Sequence, residues 1–441
     1  MSQSTPALSL PPGEFGLPFL GETLNFFRDP NYAAKKHQQY GPVFKTRLLG
    51  SPTVFVKDAV ANQFVLANEN TYFQVSWPPS TQALLGNVSL ALQTGGVHQN
   101  RRKLLAQAFM PRALSGYIAT IQQITAAYAQ QWAEQGQLTW YPQLRDYTLD
   151  VACKLLVGLD QGSQTELGHQ FETWCKGLFS IPLALPWTRF GQAKQSRKQL
   201  MALIEATIRE RQQATTEPGK DTLGLLLQAR DDNGNGLDLT ELKDQILLLL
   251  FAGHETLTSA IASYCMLIAQ HPPVWEKLRA EQQAFDPTAP LTLDALKQMP
   301  YLDQVLCEVL RLIPPVGGGF RKVLQTCEIN GYQIPEGWTV LYGINQTHLN
   351  PQAYPQPDAF RPERFATEAS GIQSKYGYVP FGGGIRECLG KEFARLEMKL
   401  FAVHLLRHYT WELLPDQDLS MVVVPTPHPR DNLRVRFKRC D

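Results

Sequence analysis

Apolar residues recur at helical spacing over several long stretches of the chain. Residues 98–109, 118–135, 192–213, 240–270, 293–312 and 389–408 each carry that period and predict helices. Two segments read as hairpins instead. Residues 43–56 hold two β-rich runs about a Gly50-Ser51-Pro52 turn. Residues 328–341 carry turn signals at Asn330-Gly331 and at Pro335-Glu336-Gly337. The pattern predicts a mainly α fold with small β-sheets at one edge. No composition shift, repeat or low-complexity linker marks a boundary, so one domain is expected over residues 21–441, behind a proline-rich lead-in at 1–20.

The apolar runs 246–252 and 257–269 have nearly the length of a membrane span. His254, Glu255 and Thr256 lie between them and would be costly in hydrocarbon. A helix over 240–270 would be roughly 45 Å long at about 1.5 Å per residue, enough to cross a whole domain. The expectation is a central core helix.

Composition narrows the class. The chain has 441 residues, 44% of them hydrophobic, which supplies a sizeable core. A formal net charge of +1 argues against a nucleic-acid partner. Seven scattered cysteines form neither a disulfide framework nor a CxxC metal pattern. The first twelve residues lack a basic n-region and an apolar anchor, so a cytoplasmic protein without an integral membrane anchor is expected.

Candidate chemistry is concentrated in Phe381-Gly382-Gly383-Gly384-Ile385-Arg386-Glu387-Cys388-Leu389-Gly390. A thiolate at Cys388 would stand at a helix N-terminus, where backbone N–H groups favour negative charge. The glycines allow a tight turn and close approach of a flat partner. A buried structural cysteine is the plainer alternative. Within the long helix, Ala252-Gly253-His254-Glu255-Thr256 puts a glycine where it costs about 1 kcal/mol against alanine. Either a flat cofactor or dioxygen approaches there, or the Thr256 hydroxyl competes for a backbone carbonyl and opens a notch. A helix-packing glycine beside a satisfied polar pair is equally compatible. Glu308 and Arg311 are spaced i, i+3, which alone indicates a surface ion pair worth a few tenths of a kcal/mol.

The spacing Phe-x-x-Gly-x-Arg-x-Cys-x-Gly, met at Phe381, Gly384, Arg386, Cys388 and Gly390, resembles the haem loop of the cytochrome P450 superfamily. Three further motifs follow in the family's order. Ala252, Gly253, Glu255 and Thr256 match its oxygen-activation motif. Glu308 and Arg311 match its Glu-x-x-Arg pair, and Arg364 matches the arginine of its Pro-Glu-Arg-Phe segment. The resemblance implies a single-domain P450 fold, with haem b between the long central helix and the cysteine loop with its following helix. It implies Cys388 as axial iron ligand, Thr256 in oxygen activation, Glu255 in proton relay from solvent, and a structural network of Glu308, Arg311 and Arg364. A thiolate ligand pushes electron density to iron and favours O–O cleavage, so Cys388 is preferred over His98 or His254.

For the haem carboxylates the resemblance implies Arg386 and Arg102, with His98 where many members have tryptophan, and Arg321 as a further cation. Phe381, Gly382, Gly390 and Ala252 complete the expected haem contacts. No Rossmann glycine pattern or cysteine cluster is present, so electrons are expected from an external ferredoxin or flavoprotein reductase. Lys391, Arg395, Arg101 and Lys103 are candidates for its docking patch.

The segments 314–321, 330–335 and 390–394 resemble the retinoic acid hydroxylase branch of the superfamily. This implies hydroxylation, with O2, of an elongated apolar isoprenoid: retinoic acid or a related retinoid or apocarotenoid. The glycines at 317–319 are expected to leave room for a bulky ring. Trp77, Ile181, Pro182, Val316, Gly317, Gly318 and Thr426 are candidate pocket residues. Two other readings carry the same cysteine loop: a haem-thiolate isomerase or dehydratase working without external electrons, and a non-catalytic haem-containing lipid-binding or sensor protein. The intact Glu255-Thr256 pair disfavours both.

Overall fold

The computed structural model describes residues 8–214, 219–366 and 374–440. They form two compact units, each assembled from separate stretches of chain, so neither leaves a boundary in local composition.

The first unit takes residues 8–78, 316–359 and 374–388. Its centre is a five-stranded sheet of β1 (Val43–Leu48), β2 (Ser51–Val56), β3 (Phe73–Ser76), β4 (Gly318–Val323) and β5 (Thr339–Gly343), in the order β1-β2-β5-β4-β3. β1 and β2 are the hairpin expected over 43–56, with Leu48 opposite Ser51. Val54 and Val56 join one buried cluster while Phe55 joins another, as the period of two requires. The helix α1 (Ala59–Ala67) starts where the Asp58 side chain accepts the Ala61 N–H.

The expected hairpin over 328–341 is shorter than the sequence suggests. Only Cys327–Ile329 and Tyr332–Ile334 pair, around Asn330 and Gly331, both at positive φ. Beyond the Pro335-Glu336-Gly337 turn the chain leaves the hairpin. Thr339–Gly343 then pairs with β2 and β4, where it buries all five residues.

The second unit takes residues 79–315, 360–366 and 389–440 and is mainly helical. Its principal helices are α2 (Gly95–Ala106), α3 (Pro111–Gln135), α4 (Trp140–Val157), α5 (Leu239–Gln270), α6 (Pro300–Leu312) and α7 (Lys391–His408). A small sheet of Gln137–Thr139, Tyr409–Leu413 and Arg434–Arg439 accompanies them. The helix α5 opens on a capping box between Asp238 and Glu241 and is buried around most of its circumference. Among the described helices it is the one long and apolar enough to cross a membrane, yet most of its apolar window is buried within this unit. The helix expected over 293–312 is broken. Leu293–Lys297 and Pro300–Leu312 are separate, because Pro300 lacks the N–H to continue a helix and holds Met299 out of the α region.

Candidate functional site

The cysteine loop belongs to the first unit. The Gly382 N–H donates to the Val379 carbonyl, and the Cys388 N–H returns to the Phe381 carbonyl at 2.9 Å. Between them a short 3-10 turn, Gly384–Arg386, delivers Arg386. The glycines have different reasons. Gly384, at φ +65°, lies so near α1 that a Cβ would stand 2.0 Å from the Leu66 carbonyl oxygen. Gly383 is extended and packs beside Leu66 and Tyr376. Gly382 has φ +70°, and a Cβ there would meet no protein atom within 4 Å. Cys388 itself is exposed. It precedes Lys391, the first residue of α7, with Gly390 as the cap. An exposed thiol on a glycine turn with an arginine beside it suits a flat, anionic, iron-containing partner.

Two of the expected cations converge on a residue that the sequence did not single out. Glu69 accepts from Arg386 Nε at 2.5 Å, and its other oxygen lies 3.0 Å from Arg321 Nε. Arg321 sits in β4 opposite Val75 of β3, its guanidinium over the Tyr342 ring. The same strand explains two of the glycines at 317–319. A Cβ at Gly318 would stand 2.3 Å from the Tyr342 carbonyl oxygen, and one at Gly319 2.6 Å from its hydroxyl. Sheet packing therefore accounts for both, and only Gly317 borders open space. Val316, beside it, is exposed, and Trp77 is half-buried.

In the second unit α5 carries the oxygen motif unbroken by any widening. The Thr256 hydroxyl donates to the Ala252 carbonyl at 2.7 Å, as expected for a hydroxyl competing along the helix. A Cβ at Gly253 would meet nothing within 4 Å, so helix packing does not require this glycine. Glu255 points into the core, 1% exposed, and is gripped by Arg145 of α4 through bonds of 3.1 and 2.8 Å. Burial opposes its ionisation, while His254, Arg145 and the Cys175 thiol favour it; the carboxyl ends below its ordinary range. Burial also drives His254 down to about 3 and leaves its ring neutral, so Arg145 is the partner that supplies charge. His254 Nδ1 meets the Thr148 hydroxyl at 2.8 Å, and Thr148 meets Thr258 at 2.6 Å.

This arrangement changes the expectation for Glu255. A carboxylate held by a two-pronged guanidinium is a committed ion, not a group open to solvent. Arg145 has a second acid, Glu172, at 3.8 Å from its Nε, and that residue is half-buried. Arg145 was legible only as a lone arginine on the helix face of Tyr141, Leu144 and Thr148, where a buried cation implies a partner.

Glu308, Arg311 and Arg364 meet in the same unit. Arg311 donates to Glu308 at 2.6 and 2.9 Å with both side chains fully buried. Arg364 Nε and the Arg361 backbone N–H complete the carboxylate's shell at 3.0 and 2.8 Å. The surface pair inferred from i, i+3 spacing alone is thus a core network. His98, buried, and Arg102, half-buried, lie on α2. Ile181 is 82% exposed with Pro182 exposed beside it, and Thr426 is buried. The candidate docking cations are not a bare basic patch. Arg101 pairs with Glu241, Lys103 with Asp232, and Arg395 with Asp303 and Glu392.

Comparison with known proteins adds what geometry alone does not. The family profile described as cytochrome P450 matches residues 11–428. The chain is 52% identical over 432 residues to a putative cytochrome P450 120 of Synechocystis sp., covering 98% of this chain and 97% of that one. It is 38% identical over 444 residues to cytochrome P450 26A1 of Xenopus laevis, covering 97% and 90%. A solved structure of retinoic acid-bound cyanobacterial CYP120A1 superposes with a TM-score of 0.93 at 52% identity, covering 98% of this chain and all of that one.

Proposed function

The chain belongs to the cytochrome P450 family and is a haem-thiolate monooxygenase, and we propose that it hydroxylates retinoic acid or a closely related retinoid or apocarotenoid. One observation carries the substrate: likeness over nearly the whole chain, at 52% identity and a TM-score of 0.93, to a protein solved with retinoic acid bound. The long apolar segments that the sequence offers suit such a ligand.

When bound, thiolate-ligated haem b supplies the activation of dioxygen. The residues present fit it. Cys388 offers an exposed sulfur, and Gly382 in its loop and Gly253 on α5 carry no Cβ that protein atoms would oppose. We assign Cys388 to the iron, and Arg386, Arg321 and Arg102 with His98 to the two carboxylates. Thr256 holds a hydroxyl proton on the Ala252 carbonyl and can turn it outward as a donor. Glu255 and Arg145 hold a fixed charge pair behind it; release of Arg145 toward Glu172 would open Glu255 as a proton carrier. Electrons come from redox partners, for which a ferredoxin or flavoprotein reductase is the proposed donor.

Titration with all-trans retinoic acid tests the substrate. The expected result is a shift of the haem from low to high spin, then a hydroxylated product once reductase and oxygen are supplied. A spectrum unmoved by any retinoid or apocarotenoid would sink the assignment. Turnover without reductant would point instead to an isomerase or dehydratase.

A further inference from the structure

Glu69 stands in the turn between α1 and β3, with its side chain 2% exposed. One of its oxygens accepts from Arg386 Nε and from the Val75 N–H, the latter at 3.0 Å; the other faces Arg321 Nε. Three separate pieces of backbone fix this meeting. The register of β3 on β4 sets Val75 opposite Arg321. The seat of Gly384 on the Leu66 carbonyl anchors the turn that carries Arg386. Glu69 follows Leu66 closely in the chain, so both arginines are brought to one carboxylate by the local fold.

Both guanidinium groups use the same atom, Nε, for this contact. Arg321 also donates from Nη1 to the Phe320 carbonyl at 2.9 Å; a guanidinium is a planar fork of five N–H donors, so fixing one of them fixes the direction of the rest. Free arginine side chains carry rotamer entropy, which a carboxylate ligand would otherwise have to offset. We propose that Glu69 is a positioning residue for haem: it holds Arg321 and Arg386 in advance in the orientation that receives the haem carboxylates. The proposal rests on the haem-thiolate reading above. It makes Glu69 an ally of haem retention, although its charge alone would compete with the carboxylates for the same arginines.

The test measures haem transfer from the ferric holoprotein to excess apomyoglobin, beside thermal unfolding of the same samples. Glu69→Gln is expected to speed haem loss about tenfold, with the thiolate–carbon monoxide spectrum of the retained haem unchanged. Glu69→Asp, which keeps the charge at shorter reach, should fall between the two. In an Arg321→Gln background the Glu69→Gln effect should shrink, because the two act through one contact. A rate equal to wild type in Glu69→Gln, even with a lowered unfolding midpoint, would overturn the proposal by leaving only a structural role. Slower loss would overturn it in favour of competition. Should Glu69→Gln fail to fold, Glu69→Asp decides: a wild-type rate refutes it. A wild-type protein without a thiolate–carbon monoxide spectrum would refute the haem reading itself, a different failure.

Discussion

Arg145 on α4 and Glu255 on α5 are joined by two hydrogen bonds, at 3.1 and 2.8 Å, with the carboxylate buried and the guanidinium one-fifth exposed. Removing one partner of such a pair leaves an uncompensated buried charge, at about 3–5 kcal/mol. Arg145→Leu should therefore lower the unfolding free energy by about that amount at neutral pH. The sign with pH is distinctive. Without Arg145, burial would raise the Glu255 carboxyl above its unfolded value, so the deficit should shrink as pH falls and Glu255 takes up a proton. Denaturant unfolding at pH 7.5 and 5.5 checks this; a deficit indifferent to pH would contradict it.

The glycines of the cysteine loop separate two kinds of constraint. Gly382→Ala meets no atom and suffers only from its left-handed backbone, an expected loss of about 1–2 kcal/mol. Gly384→Ala carries the same backbone penalty and also drives a methyl into the Leu66 carbonyl. It should move the loop and abolish haem incorporation. Haem content per protein, read for both variants after expression with added haem precursor, distinguishes them. Equal retention would show that α1 yields to the intruding methyl.

Much of this was legible in the chain. The helical period located the long helix because α5 is buried almost all round, and the Gly50 turn located the β1–β2 hairpin because its pairing is local. Motif spacing singled out Cys388, Arg386, Thr256 and Glu308. What stayed hidden depends on contacts distant in sequence. Glu69 lies in a polar turn like many others, and only the register of β3 on β4 gives it Arg321. The break at Pro300 was readable from proline chemistry but was masked by the continuous apolar period on either side. The glycines 318 and 319 read as room for a ligand in the sequence, but Tyr342 packs against both.

The Glu308 network is expected to govern folding, not turnover. Arg311→Met would leave Glu308 with Arg364 and the Arg361 N–H in a fully buried position. The loss should again be about 3–5 kcal/mol, a large fraction of a typical folding free energy. Arg364→Met, at a site 8% exposed, should be milder. Soluble yield and the unfolding midpoint rank the variants. A normal yield for Arg311→Met with lost activity would instead assign that arginine to chemistry.

Buried histidines should contribute acid sensitivity well above the carboxylate range. Burial lowers His254 to about 3 and His37 and His404 to about 4, from an ordinary value of 6.5. As pH falls below 6.5, the unfolded chain binds protons at these rings and the folded chain does not, so unfolding is favoured. Each fully effective histidine contributes about 1.4 kcal/mol per pH unit. Carboxyls pull the other way, and burial raises Asp244 and Glu281 among them. Burial beside Glu172 and Asp150 raises Asp146 to about 6, and burial raises Glu397 well above its ordinary value, so the folded state gains relative to the unfolded one at each as pH falls toward 5. Histidines and carboxyls oppose one another between pH 6.5 and 5, so the single contribution of His254, about 1.4 kcal/mol per pH unit at full effect, is the one to isolate. His254→Gln removes one of the three histidines and should lessen the acid sensitivity over that window. Unfolding midpoints of both proteins at pH 7.5, 6.5, 5.5 and 5.0 provide the measurement. A variant as acid-sensitive as the parent would mean that His254 is protonated in the folded state, and would return the charge beside Glu255 to the ring.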